Sequence, residues 1–241
     1  MKVQRETFIV YQSHLQPNGV LSVPAMAGFM QEAAWANVKD IGVSTEELFK
    51  NDMAWVLTKM HWEFVDTVQH REKVTIETWP SGSDKYFFYR DFRLYKGKKL
   101  FAKVTTTWIL INLQSRQLMA VPENLSKLSF SHYEAPMPRA NNKIVLPKEY
   151  GFTKEYTVNW HHLDVNKHAN NTFYLQWLLD ALSYDFLSKK SIKSLDVIFK
   201  TESTMGDVLT VKTITSEGGA STQAIFNQKG KELVRAHTQW I

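Results

Sequence analysis

The chain reads as one plan written twice, and that constrains its fold more than any other feature. Slid by 148 positions, Leu15-Gln16-Pro17-Asn18 falls on Leu163-Asp164-Val165-Asn166, and Gln31-Glu32-Ala33 falls on Leu179-Asp180-Ala181. At an offset of 135, Phe64 meets Phe199, and the alternating residues 74–78 meet residues 209–213. At 132, Lys103, Thr106 and Trp108 meet Arg235, Thr238 and Trp240. Matches that recur in the same order are the mark of a duplicated unit. The offset drops by 13 after the first helix, so the first copy carries extra residues there. Proline marks the seam, since Pro122, Pro136, Pro138 and Pro147, four of seven, fall between residues 119 and 150. The expected organisation is a first domain over 1–118, a connector over 119–150 with a short helix near 122–128, and a second domain over 151–241.

Each copy runs strand, loop, helix, then several strands. The first helix is expected over 22–39, with Ser22 as cap, Pro24 in the first turn and Gly42 beyond the end. A short helix follows at Ser44, where Ser44 and Glu47 have capping-box spacing. In the second copy Asn170 or Asn171 can cap a helix reaching about residue 187, with Tyr174, Leu178 and Leu182 at four-residue spacing. Alternating stretches rich in Val, Thr, Trp and Phe read as strands at 60–65, 73–79, 86–93, 100–111, 208–215 and 220–227. One long helix followed by antiparallel strands, twice over, is an α+β architecture in which each sheet wraps a helix. The second copy is too short for a large core of its own, so the two sheets are expected to pair.

Composition narrows the chemistry. With no cysteine among 241 residues, disulfides, thiolate metal sites and a cysteine nucleophile are excluded. No apolar run approaches the length of a membrane span. The first residues lack the apolar core of a signal peptide and read as a strand, so the cytoplasm is the expected location. The net charge of +5 is spread as +3, +1 and +1 over the three segments, with no basic block of the kind nucleic acid demands.

The informative segment is Trp160-His161-His162-Leu163-Asp164-Val165-Asn166-Lys167-His168-Ala169-Asn170-Asn171. Asp164, Asn166 and His168 lie two residues apart, a spacing that puts all three on one side of an extended segment. They would converge at the mouth of the second helix, whose first-turn N–H groups suit a developing oxyanion. On spacing alone, such a set is more often a loop cap than a catalytic one. The repeat favours chemistry, because the first copy has Gln16, Asn18 and Val20 there, having lost acid and imidazole while keeping the scaffold. His161 and His162 are expected on a strand, facing opposite sides. As metal donors His161, His162, Asp164 and His168 lack helical i, i+4 spacing, so neither metal nor cofactor is expected.

The stretch Asp164-Val-Asn166-Lys-His168-Ala-Asn170-Asn171-Thr-Phe-Tyr174-Leu-Gln-Trp177 resembles the helix-entry motif of acyl-acyl-carrier-protein thioesterases of the hot-dog fold. The likeness covers nearly the whole chain, including residues 54–60, Glu77-Thr78-Trp79-Pro80-Ser81, Tyr89-Arg90-Asp91-Phe92, and residues 108–112 followed by Arg116 and Val121-Pro122. It implies two tandem hot-dog domains that hydrolyse fatty acyl thioesters of acyl carrier protein. The partner would be that carrier with its phosphopantetheine-linked chain, and the protein a monomer with paired domains or a homodimer. The family's catalytic residues fall on Asp164, Asn166 and His168, and its further carboxylate, 34 positions beyond the His, on Glu202. The first copy has Thr67 opposite Glu202. The plant enzymes carry Cys next to that Glu, where this chain has Ser203, so a thiol is dispensable if activity is kept.

The resemblance leaves two mechanisms open. His168 and a carboxylate can activate water, or Asp164 or Glu202 can attack the thioester directly. The acyl chain is expected in an apolar slot of the first copy, whose helix carries Met26, Phe29, Met30 and Trp35. Lys167, Lys200 and Arg90 are candidates for a basic rim facing the carrier. Two rivals keep the fold: a coenzyme A thioesterase or hydratase-like enzyme, and an acyl-carrier-binding module without turnover.

Overall fold

A computed structural model describes residues 3–128, 137–139 and 143–241. Strand β1 (Gln4–Ile9) leads through a 3-10 turn to α1 (Val23–Asp40) and the short α2 (Thr45–Phe49). Four long strands follow, β2 (Met53–Phe64), β3 (Lys73–Ser83), β4 (Phe87–Lys96) and β5 (Lys99–Asn112), then the short β6 (Leu118–Met119) and α3 (Glu123–Ser126). The plan then repeats as β7 (Phe152–Thr157), a 3-10 turn, α4 (Asn171–Asp180), α5 (Tyr184–Lys189), and β8 (Ile192–Phe199), β9 (Val208–Thr215), β10 (Ala220–Asn227) and β11 (Glu232–Trp240).

All the strands join one antiparallel sheet in the order β1-β3-β4-β5-β2-β8-β11-β10-β9-β7, with β6 beside β5. The halves meet at β2 and β8, where Lys59 to Glu63 pair with Ile198 to Ser194. His61 faces Asp196 across that seam, Nδ1 to Oδ1 at 2.7 Å. These two positions are related by the same offset of 135 that the repeat shows. Helix α1 packs on β1 and β3, α4 packs on β9 and β10, and the two helices touch each other. The α+β arrangement of helix-wrapping sheets is therefore as expected. One core runs through both halves, combining Met26, Phe29 and Met30 of α1 with Tyr174, Leu175 and Leu178 of α4. Side chains such as Trp62, Leu94, Leu195 and Leu209 are fully buried there, each contributing about 1.5–3 kcal/mol by leaving water.

Local signals account for most element ends. Ser22 caps α1 by accepting the Ala25 N–H, and Ser44 caps α2 by accepting the Glu47 N–H. The short helix expected near 122–128 is α3. Much of the rest of the connector, Pro136 included, lies outside the described residues, as do the first two residues of the chain. Two expectations change. The helix expected to reach about residue 187 stops at Asp180, and Ser183 restarts it as α5 by accepting the Phe186 N–H. Strand β2 starts at Met53 rather than 60, because a register shift between Leu57 and Lys59 breaks its alternation. Among the described residues no helix is long and apolar enough to cross a membrane.

Candidate active site

The segment before α4 is a tight loop, not the extended run its spacing suggested. Trp160–His162 form a 3-10 turn, so His161 and His162 are not strand residues. His162 Nδ1 accepts the Asn159 N–H at 3.0 Å, and its ring packs edge-on against Trp177. It is thereby occupied in holding the loop. Leu163 and Ala169 form an isolated bridge, and between them Lys167 takes φ 64°. A lysine there carries the left-handed strain that glycine avoids. Asp164 stabilises this turn through one oxygen, Oδ1, which accepts N–H groups from Asn166 at 2.8 Å and His168 at 3.2 Å. Asp164, Asn166 and His168 thus meet through a closed turn rather than through a two-residue period.

The loop is clamped to the second carboxylate. Ala169 N–H donates to the Ser203 carbonyl at 2.9 Å, bringing Glu202 beside His168. Glu202 Oε2 lies 3.3 Å from His168 Nε2 and accepts a hydrogen bond from Arg116 Nη2 at 2.7 Å. Arg116 comes from the other half of the chain, in the turn between β5 and β6. Asn112 Oδ1 ties that turn by accepting the Gln114 and Ser115 N–H groups, and Arg116 itself has φ 57°. Sequence reasoning had placed Arg116 in a motif without assigning it a task. Its signal was a cation in a hairpin, which pattern alone cannot aim. Ser203 is buried, its hydroxyl 2.6 Å from the Tyr174 hydroxyl and its N–H donated to the same oxygen. Burial raises the Tyr174 pKa to about 12, against the opposing effect of its hydrogen bonds with Ser203.

The helix mouth offers fewer free donors than the sequence suggested. Asn170 Oδ1 accepts the Thr172 N–H, and the Asn170 carbonyl accepts that of Phe173. Among the described residues the Asn171 N–H has no acceptor. Asn170 also bonds Gln31 of α1, joining the helix starting at the site to the helix of the other half.

A cavity of about 1190 Å³ opens at this loop and runs into the first half, touching Asp164, Asn166, His168, Asn171, Arg116 and Glu202. Its walls between α1 and the sheet are apolar, with Met30, Trp35, Trp55, Leu57, Phe88 and Trp108 among them. Of the α1 residues expected in a slot, Met30 and Trp35 line this cavity. Phe29 instead stacks on Phe8 in the core, and Met26 faces a separate cavity. Arg90 is not a rim residue. It is 3% exposed inside the cavity wall, because the even-numbered residues of β4 point toward α1. Lys167 stays exposed, and Lys200 pairs with Glu232 at 3.0 Å. Among the described residues no three of His, Cys, Asp and Glu gather as a metal-binding group.

Known proteins match this chain along its length. The acyl-ACP thioesterase N-terminal domain matches residues 1–128, and the acyl-ACP thioesterase C-terminal domain matches residues 146–241. The dodecanoyl-[acyl-carrier-protein] hydrolase of Cinnamomum camphora is 26% identical, the match covering 99% of this chain and 67% of that one. The palmitoyl-acyl carrier protein thioesterase of Arabidopsis thaliana is 26% identical over 99% of this chain and 64% of its own. The chain thus spans about two thirds of the length of these curated relatives. Two solved structures share the fold with a TM-score of 0.90, an acyl-ACP thioesterase from Bacteroides thetaiotaomicron at 19% identity and the 12:0-ACP thioesterase from Umbellularia californica at 24%. The first alignment covers 99% of this chain and 98% of that one, the second 99% and 97%. The tandem hot-dog fold implied by the helix-entry motif is thereby established. With both of its domains matched, the chain belongs to the acyl-ACP thioesterase family.

Proposed function

We propose that this protein hydrolyses the thioester of fatty acyl chains carried on acyl carrier protein, releasing the free acid. The observation that carries the reading is Glu202 Oε2 set between His168 Nε2 and Arg116 Nη2 at the mouth of an apolar cavity. The acyl chain lies in that cavity, between α1 and the first-half strands, while residues 151–241 supply the acid–base groups. A carboxylate held by a guanidinium is a poor nucleophile, so the arrangement favours water attack over a covalent acyl-enzyme. With Nε2 turned to Glu202, the Nδ1 of His168 takes a proton from the attacking water. The water oxygen bonds the carbonyl carbon, the C–S bond breaks, and the proton passes to the departing thiolate.

Asn171 N–H, at the positive end of α4, stabilises the oxyanion, and Asn166 orients the water or the thioester. Asp164 is a positioning residue, fixing the loop through the backbone N–H groups it accepts. Lys167, exposed in the loop, and Lys200, at the cavity, are the cations this site offers to an acidic carrier.

The test is release of free acid from matched acyl thioesters of acyl carrier protein and of coenzyme A. Hydrolysis of the carrier thioester at higher kcat/KM is expected. Preference for coenzyme A would move the protein to the other thioesterase class, and carrier binding without turnover would make it a binding module.

A further inference from the structure

The repeat duplicates the cavity as well as the loop. A second cavity, of about 900 Å³, borders the loop before α1 and touches α4, α5 and the β8–β11 pair. That volume suits a small-molecule ligand. Its walls answer to those of the first cavity at the offsets of the repeat: Leu15 stands for Leu163, Phe64 for Phe199, Ile192 for Leu57 and Trp240 for Trp108. The strand register agrees, since Leu57 pairs with Trp108 across β2 and β5, and Ile192 pairs with Trp240 across β8 and β11. Each cavity is an apolar slot on the same plan.

Two differences set the ligand. At the loop end, Gln16 and Thr67 stand where the first cavity has Asp164 and Glu202. Their neutrality removes the carboxylates that would repel an anion. Farther along the wall, Lys190 takes the position that Trp55 holds in the first cavity. Its backbone is extended, at φ −118° and ψ 144°, and Ser191 carries the ladder on by pairing with Ile241. Lys190 therefore shares the face of Ile192. Among the described residues its ammonium has no partner. The acids of the lining already have cations beside them. Asp66 is held by Lys99 at 2.9 Å and Lys96 at 3.3 Å, and Lys154 donates to the Asp180 carbonyl at 3.2 Å. An apolar slot with one unmatched cation is complementary to an anionic amphiphile. We infer that the second cavity binds a free fatty acid without transforming it, the chain against Phe64, Ile192 and Trp240 and the carboxylate paired with Lys190. A thioester-linked chain or a fatty alcohol offers Lys190 no charge, so the free acid is the form selected.

The inference goes beyond hydrolysis, and its test needs no turnover because the acid is added rather than made. Dodecanoate binding is followed by calorimetry on the full chain at about pH 8, where carboxylate and ammonium are both charged. Dodecanol should bind more weakly than dodecanoate, and Lys190→Glu should weaken a dodecanoate site by roughly tenfold or more. Lys190→Gln should give a smaller loss, and it carries the test if the charge reversal does not fold. Failure of the wild-type protein to bind dodecanoate overturns the inference, as does dodecanol binding as tightly as the acid. An unchanged isotherm in the folded Lys190 variants overturns it too, because the acid would then sit elsewhere. Absence of turnover alongside the Lys190-dependent binding would overturn the hydrolase reading and leave the second site intact.

Discussion

The loop before α1 and the loop before α4 are built almost bond for bond alike, yet among the described residues only the second sets a histidine, His168, against a carboxylate, Glu202. In each, a 3-10 turn ends on a histidine whose Nδ1 accepts a backbone N–H three residues earlier, His14 in the first and His162 in the second. Each closes with an isolated bridge, Leu15 to Leu21 and Leu163 to Ala169. The Gln16 N–H bonds the Val20 carbonyl at 2.9 Å, and the Asp164 N–H bonds that of His168 at 2.8 Å. Each loop is then pinned to the partner segment, Leu21 N–H to the Val68 carbonyl and Ala169 N–H to that of Ser203. On this common frame His168 replaces Val20, Glu202 replaces Thr67, and Lys167 takes the left-handed position that Gly19 holds at φ 84°. The scaffold is therefore what folding requires, and the differences mark what chemistry adds. Each loop also borders its own cavity, about 1190 Å³ beside the second and about 900 Å³ beside the first, so space alone does not make a site.

The comparison can be broken most sharply at the paired carboxylate position. Glu202→Gln should lower kcat by roughly 10²–10³-fold, the scale of lost acid–base assistance, while Thr67→Ala at the matching position leaves it unchanged. Steady-state release of free acid measures both. Equal losses would mean that the two loops share the work. Next in size is Arg116→Ala, expected to cost about tenfold in kcat with little change in KM, because the guanidinium orients Glu202 rather than the acyl chain. Arg116→Lys should restore part of that loss, and a change confined to KM would place Arg116 in substrate binding instead.

Ser203→Ala should leave kcat within about threefold of wild type, since the hydroxyl is buried against Tyr174 and not in the cavity. Its effect should appear as stability, about 1 kcal/mol or 2–4 °C in Tm, for the lost partner of Tyr174. A hundredfold fall in rate would contradict this. The smallest effect lies at the seam, where the repeat pairs His61 with Asp196. The hydrogen bond to Asp196 holds the His61 pKa above its ordinary value, with Glu63 adding attraction from 3.8 Å. A raised histidine pKa contributes stability that is full below about pH 6.5 and is lost as pH rises through the folded value. His61→Gln should therefore lower Tm by about 2–4 °C at pH 5.5 or so, with the difference fading by about pH 9. A constant difference across that range would refute the linkage.

The duplication, the α+β class and the capped helix starts were legible because they rest on local chemistry and repeating pattern. Ser22 and Ser44 each needed only a hydroxyl ahead of a free N–H. The loop geometry was misjudged because Asp164 spends an oxygen on backbone N–H groups, a choice that residue spacing does not reveal. Arg116 was left without a task, and Arg90 was placed on the rim, for a related reason. A cation in a hairpin and a cation in a strand look equally exposed until pairing decides which face each takes. Arg116 turns toward Glu202 across the two halves, and Arg90 turns inward against α1.

The most direct measurement is free-acid release from acyl-acyl carrier protein by His168→Ala beside Val20→Ala, its structural counterpart in the other loop. The account predicts a loss of at least about a hundredfold for His168→Ala and an unchanged rate for Val20→Ala. A His168→Ala protein that still turns over at the wild-type rate would contradict a single active centre in the second half.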